Sequence, residues 1–445
     1  MISTKIASKL FGIYELSSGT HISKTLRELN LNQEKSLDEL NSLSLEKMSR
    51  LLSYAVKNSN YYKNKIQFDV DAPLKSFDIL REIEFLDKSI LRDNVEKIQS
   101  NNPTSRLTLA KTSGSTGMPL RFPKDAYVRA HHYAAMFRGH SWYNVDIGDR
   151  EARLWGVPVG IKDNLKIKFI DFYLNRFREK DFKLTDVALN HFYESVLRHK
   201  PKYIMGYGKM LFGFALYLKN NKLSLENLNM KMAKYTSENL TDSDREIISD
   251  TFGCPVVSEY GAAETGIITF QCPEGGNHIM TDCVHVEFLD CPEISGKNVK
   301  ELVVTDLNSL SFPVIRYRLG DLVEVSGNSC SCDLPFPVIN KVIGRTSEIF
   351  SVGGGKTFHS LIFYYIVKGL GDVSKLVQFR VVQNSKINFT YQLCGLNKND
   401  DIEKYLTDKT KQELGNEVVL TFEYLPSLPR DESGKLRDFV PLSSK

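Results

Sequence analysis

Apolar positions in the first sixty residues recur at helical spacing, as at Leu37, Leu40, Leu43, Leu45 and Met48, which predicts helices there. Ile2, Ile6, Leu10 and Ile13 share one helical face with lysines beside it. Such a face suits either packing on the body of the protein or contact with a membrane surface; packing is the expectation. Between Asn101 and Asp125 the pattern changes, as a strand-like Leu107-Thr108-Leu109-Ala110 runs into a cluster of glycine, serine and threonine. That is the form of a strand entering a ligand loop. Short β-rich runs at 203–205, 255–257 and 301–305 then alternate with helical runs at 211–219 and 241–252, which predicts α/β layering rather than a sandwich.

After Gly344 a smaller unit begins, with helix-like 360–369, strand-like 376–382 and 387–393, helix-like 401–414 and strand-like 418–424. About a hundred residues so arranged can fold alone. The expected fold class is therefore α/β. A large multi-layered N-terminal domain spans 1–344, mostly helical as far as residue 100, and a small α+β domain spans 345–445.

The chain has 445 residues, 42% hydrophobic and 25% charged, which sets aside wholesale disorder and fibrous classes. Its 58 Lys+Arg against 54 Asp+Glu leave +4, too even a balance for a nucleic-acid footprint. No run reaches the roughly 18 to 20 uncharged apolar residues that span a bilayer; the most apolar, 203–218, contains Lys209. The first residues lack the apolar run and cleavage site of a secretory signal, so a cytoplasmic location is expected. Seven cysteines, an odd number on a long chain, suit metal binding or packing better than a disulfide framework.

Lys111-Thr112-Ser113-Gly114-Ser115-Thr116-Gly117-Met118-Pro119 packs hydroxyls and glycines into one turn. Gly114 and Gly117 let backbone N–H groups approach an anion, and Ser113, Ser115 and Thr116 add donors suited to phosphate oxygens. The loop has neither the Gly-Lys-Ser/Thr ending nor the Gly-x-Gly-x-x-Gly spacing of the common nucleotide loops. A second signal is Cys272-x5-His278 followed by Cys330-x-Cys332. Three thiols and an imidazole can hold a structural zinc ion in tetrahedral geometry; Cys283 and His285 compete as ligands, and buried reduced cysteines are the alternative.

Four further pieces follow the loop in order: Glu259-Tyr260-Gly261-Ala262-Ala263-Glu264, Arg316-Tyr317-Arg318-Leu319-Gly320-Asp321, Gly344-Arg345-Thr346-Ser347, and Ser433-Gly434-Lys435-Leu436-Arg437. With the loop they resemble the adenylate-forming superfamily of acyl-CoA synthetases, peptide-synthetase adenylation domains and luciferase, over about residues 107 to 437. The leader ending in Tyr54-Ala55-Val56-Lys57-Asn58-Ser59-Asn60-Tyr61-Tyr62 is similar to that of the phenylacetate-CoA ligase branch and its polysaccharide-associated, CapK-like relatives.

The resemblance implies an enzyme that activates a carboxylic acid with ATP as an acyl-adenylate, then passes the acyl group to coenzyme A or to an amine. Ser113, Gly114, Ser115, Thr116 and Gly117 would hold the β- and γ-phosphates, with Lys111 or Lys124 adding positive charge. Tyr260 would stack on adenine, Glu259 and Gly261 would flank it, and Glu264 would hold Mg²⁺. Asp321 would accept hydrogen bonds from the ribose hydroxyls, and Arg345 would sit near ribose and phosphate. Lys435 would swing in to the α-phosphate and leave when the small domain rotates about a hinge at Ser347, where relatives carry Asp. Catalysis would thus rest on Lys435, Thr116 and Glu264. Some phenylacetate-CoA ligase relatives also carry a cysteine and histidine cluster where Cys272, His278, Cys330 and Cys332 stand.

Plainer assignments exist for the same residues: Tyr260 as a core aromatic, Glu264 as a solvated acid, Asp321 in a surface pair with Arg318. Met205-Gly206-Tyr207-Gly208 is expected to border the acyl pocket, where Tyr203, Tyr207 and Phe212 would suit an aryl or medium-sized acyl group. The competing class is a catalytically silent nucleotide-binding scaffold in polysaccharide assembly; Lys435 and Glu264 argue against it, since such a protein needs neither.

Overall fold

The computed structural model describes residues 2–66, 72–112, 120–155, 164–178, 185–291, 298–325, 329–345, 349–371, 378–426, 428 and 437–442, with the backbone alone at 164–167 and 361. The chain opens on helices α1 (Thr4–Ser18), α2 (Ile22–Asn32) and α3 (Leu37–Asn58). Ser36 starts α3 in a reciprocal capping box with Glu39, which satisfies two otherwise orphaned backbone donors. Leu40, Met48, Leu51 and Ala55 form its buried face at helical spacing. Two short helices, α4 (Lys88–Asp93) and α5 (Val95–Ile98), complete the leader. On α1 the structure reverses the expected packing: Ala7, Phe11 and Glu15 are buried, whereas Ile6 and Ile13 face solvent.

A hairpin of β1 (Thr108–Lys111) and β2 (Arg121–Lys124) follows, then α6 (Ala126–Ser141). Next come β3 (Glu151–Leu154), α7 (Asn164–Tyr173), β4 (Arg176–Arg178), α8 (Asp186–His199), β5 (Tyr203–Tyr207), α9 (Gly208–Asn220), β6 (Met232–Thr236) and α10 (Asp242–Phe252). Strands β7 (Val256–Ala262), β8 (Gly266–Gln271) and β9 (Asn277–Ile279) then turn back on one another. Among the described residues these strands, with β13 (Val338–Ile339), form one sheet in the order β13-β9-β8-β7-β6-β5-β3-β4. It is parallel from β7 to β4 and antiparallel from β7 to β13. Every residue of β5 is buried, as expected of a central parallel strand covered on both faces.

One core lies between this sheet and α8, α9 and α10; a second packs α1, α2 and α6 on the other side. Arg138 on α6 and Asp282 after β9 make a 2.7 Å ion pair with no exposed surface. A four-stranded antiparallel sheet contains β10 (Val284–Asp290), β11 (Val299–Asp306), β12 (Tyr317–Glu324) and β14 (Lys341–Arg345).

Beyond it stand the β15 (Ile349–Ser351) and β16 (Thr357–His359) hairpin, α11 (Leu361–Lys368), β17 (Gln378–Gln383), β18 (Asn388–Cys394), α12 (Asp400–Leu414), β19 (Val419–Tyr424) and β20 (Phe439–Val440). Strands β19-β18-β17-β20 form a sheet whose core, among the described residues, draws on Phe350 to Phe439. The architecture is thus mixed α/β with a helical leader and a small α+β C-terminal unit.

Candidate active site

Strand β7 carries Glu259, Tyr260 and Gly261 to the turn that holds Glu264. A side chain at Gly261 would lie 2.3 Å from the Gly266 carbonyl oxygen, so only glycine lets the hairpin close so tightly. The Tyr260 hydroxyl donates to Asp321 Oδ2 at 2.7 Å, and Arg345 Nε stands 3.2 Å from Asp321 Oδ1. Asp321 and Arg345 face each other in register across β12 and β14. Buried Glu264 accepts a 3.1 Å hydrogen bond from the Tyr317 hydroxyl, also on β12. Three motifs distant in sequence therefore meet at Tyr260, Asp321, Arg345 and Glu264. Burial, with the Asp321 carboxylate beside it, lifts the Tyr260 phenol well above its usual range.

Two of the plainer assignments do not hold. Asp321 does not pair with Arg318, whose guanidinium instead meets Glu301 at 2.5 Å across the β11–β12 ladder. Glu264 is not a solvated acid. Glu259 is held elsewhere, 2.5 Å from the fully buried Lys234 ammonium on β6. Tyr203 and Phe212 belong to the packed interior, Tyr203 donating to Glu151 at 2.7 Å; Tyr207 stacks on Trp155 with ring centres 4.3 Å apart. Ser113, Gly114, Ser115, Thr116 and Gly117 lie outside the described residues, as do Lys435 and the Ser347 hinge. Lys111 and Arg121, paired in register, bracket the loop segment.

Sequence reasoning named Lys124 as a nearby cation but missed the buried chain that it heads beside this cluster. Lys124 Nζ lies 2.9 Å from His132 Nδ1, and His132 Nε2 lies 2.9 Å from Asp306 Oδ2. Burial and the Lys124 charge hold His132 below the ordinary imidazole value, so the neutral ring accepts from the ammonium and donates Nε2–H to Asp306. Burial also draws Lys124 down to about 8, against the pull of Asp306 and then Glu264. Gly266 adopts φ +75°, and a side chain on it would strike the His132 ring at 2.3 Å; the hairpin bearing Glu264 thus rests on His132. No local signal marks this chain, because its members come from β2, α6 and β11.

Cys272, His278, Cys330 and Cys332 place one ligand atom each within 4.8 Å of one another. Cys332 Sγ stands 3.1 Å from His278 Nε2, and Cys272 Sγ 3.6 Å from Cys330 Sγ, close to the edges of a tetrahedron with Zn–S near 2.3 Å. His278 Nδ1 lies 2.7 Å from the Phe336 carbonyl, a contact that leaves Nε2 free for an ion. A side chain on Gly276 would reach within 2.7 Å of Cys330 Sγ, so the cradle needs glycine. The competing residues are elsewhere: His285 stacks on Phe77, ring centres 4.0 Å apart, and Cys283 is buried in the core.

No protein-family model matches the chain. Protein CapK of Staphylococcus aureus is 24% identical over 424 residues, covering 93% of this chain and 90% of that protein. A phenylacetate-coenzyme A ligase of Thermus thermophilus is 25% identical over 256 residues, 49% of this chain and 56% of the ligase. The chain is thus similar in sequence to CapK and to phenylacetate-coenzyme A ligases, which supports the adenylate-forming resemblance read from its motifs. Among solved structures, 2-hydroxyisobutyryl-CoA ligase in the postadenylation state with 2-HIB-AMP superimposes with a TM-score of 0.71 at 16% identity, over 92% of this chain and 90% of the ligase. That likeness establishes the fold.

Proposed function

We propose that this chain is an adenylate-forming ligase that activates a carboxylic acid and transfers the acyl group to coenzyme A or an amine. The observation that carries this reading is the meeting of Tyr260, Asp321, Arg345 and Glu264 from three separate motifs. In the first half-reaction the acid's carboxylate oxygen attacks the α-phosphorus of ATP. A new acyl O–P bond forms, and the O–P bond to pyrophosphate breaks. In the second, the thiol or amine attacks the acyl carbon, AMP departs and the nucleophile loses its proton.

Tyr260 and Gly261 provide the adenine face, with Glu259 bracing β7 through Lys234. Asp321 accepts the ribose hydroxyls, releasing the Tyr260 hydroxyl as it does so, and Arg345 stands toward the phosphates. Glu264 would hold Mg²⁺, which when bound neutralises charge on phosphate oxygens. Ser113, Gly114, Ser115, Thr116 and Gly117 line the phosphate loop, and Lys124 adds a cation beside it. Lys435 supplies positive charge at the α-phosphate, where donors positioned in advance stabilise the transition state. We place the division between large and small domains at 344/345, zinc on Cys272, His278, Cys330 and Cys332, and the protein in the cytoplasm, serving capsule or O-antigen polysaccharide assembly.

Pyrophosphate release with ATP, Mg²⁺ and a panel of carboxylic acids tests the reading. At least one acid is expected to release pyrophosphate, and Lys435→Ala to slow that release by about a hundredfold or more with the fold intact. Silence with every acid, together with no ATP binding, overturns it.

A further inference from the structure

Two helix faces stand apart from the site described above. On α1 the side opposite Ala7 and Phe11 exposes Ile6 at 52%, Ile13 at 57% and Leu16 at 81%, with exposed Lys5 and Lys9 among them. On α7, Phe169 at 61% and Phe172 at 52% are exposed beside Lys168. The Tyr14 and Tyr173 rings, 5.6 Å apart, join the two helices, so their outer faces adjoin. A single exposed leucine needs no explanation, but five large apolar side chains on neighbouring helices do.

The charges on this face have one sign. Lys5, Lys9 and Lys168 point outward, while the acids of these helices among the described residues are engaged elsewhere. Glu15 is buried and accepts from Ser23, and Asp171 is held by Arg176 and Arg178. We propose that the α1–α7 face is a peripheral docking surface for an anionic lipid bilayer. Isoleucine and phenylalanine would enter the headgroup boundary, and the lysines would reach lipid phosphates along their own apolar stems. A second copy of the chain fits less well, because pairing this face with itself would bring lysines together where interfaces exclude them. No helix among the described residues is long and apolar enough to cross a membrane, so the contact is one of surface.

Vesicle co-sedimentation of the full chain tests this, using neutral phosphatidylcholine vesicles and vesicles containing phosphatidylglycerol, at low and high salt. Binding is expected to anionic vesicles and to weaken with salt. The triple variant Lys5→Gln, Lys9→Gln, Lys168→Gln should bind about a hundredfold more weakly, from about fivefold per lysine. Ile13→Glu with Leu16→Glu should leave the protein in the supernatant with unchanged circular dichroism, since both side chains are exposed. The inference is overturned if the wild type ignores all vesicles, if either variant binds as the wild type does, or if light scattering shows a dimer that the same substitutions dissolve.

Discussion

Lys124 joins the β1–β2 hairpin to His132 and Asp306, and if the proposed function holds, its protonation sets a pH dependence of nucleotide binding. Its folded value lies near 8, well below an ordinary lysine. The cation is therefore present below that pH and is lost as pH rises through it. Calorimetric affinity for Mg-ATP should hold level below about pH 7 and fall about ten- to a hundredfold above the step, the range of a lost charged hydrogen bond. Lys124→Met should bind weakly at every pH and Lys124→Arg tightly without the step; a Lys124→Met profile that parallels the wild type refutes the role. The convergence of Tyr260, Glu264, Asp321 and Arg345 could be anticipated because each lies in a short motif that the sequence reading grouped together. The pairing of His132 with Asp306 could not, since a relay drawn from two strands and a helix leaves no local pattern, and Arg318 was misassigned because only the ladder reveals Glu301 beside it.

At the scale of elements, the cysteine cluster joins the β8–β9 hairpin to the segment that leads into β13. Cys272 follows β8, His278 lies on β9, and Cys330 with Cys332 stands between β12 and β13, a strand of two residues. An ion there would fasten this segment to the main sheet. Elemental analysis of purified protein should give about one zinc per chain. Cys332→Ser should lose the metal and lower Tm by at least about 4 °C, as 1 kcal/mol moves a large domain by about 2–4 °C. Metal-free protein whose cluster variants melt like the wild type would sink the assignment. Helices α3, α9, α10 and α12 could be read from apolar spacing because burying one face imposes that period. The tight β7–β8 turn escaped, since Gly266 is demanded by His132 from another element.

Across the whole molecule, the pattern restart after Gly344 foreshadowed the small unit, whereas β20 left no trace because two residues have no period. Yet Phe439 is buried against Phe350 and Phe363, ring centres 4.9 and 5.6 Å away, and β20 adds to the sheet beside β17. Phe439→Ala should cost about 3–5 kcal/mol in the small unit, read in urea as a separate, earlier transition, while Mg-ATP binding survives. A single unshifted transition contradicts this. Strands β19 and β20, which flank residues 425–438 in sequence, belong to one sheet. Because that sheet is closed by a strand from the far end of the unit, loosening its last few residues would be felt in the whole small core and not at one edge.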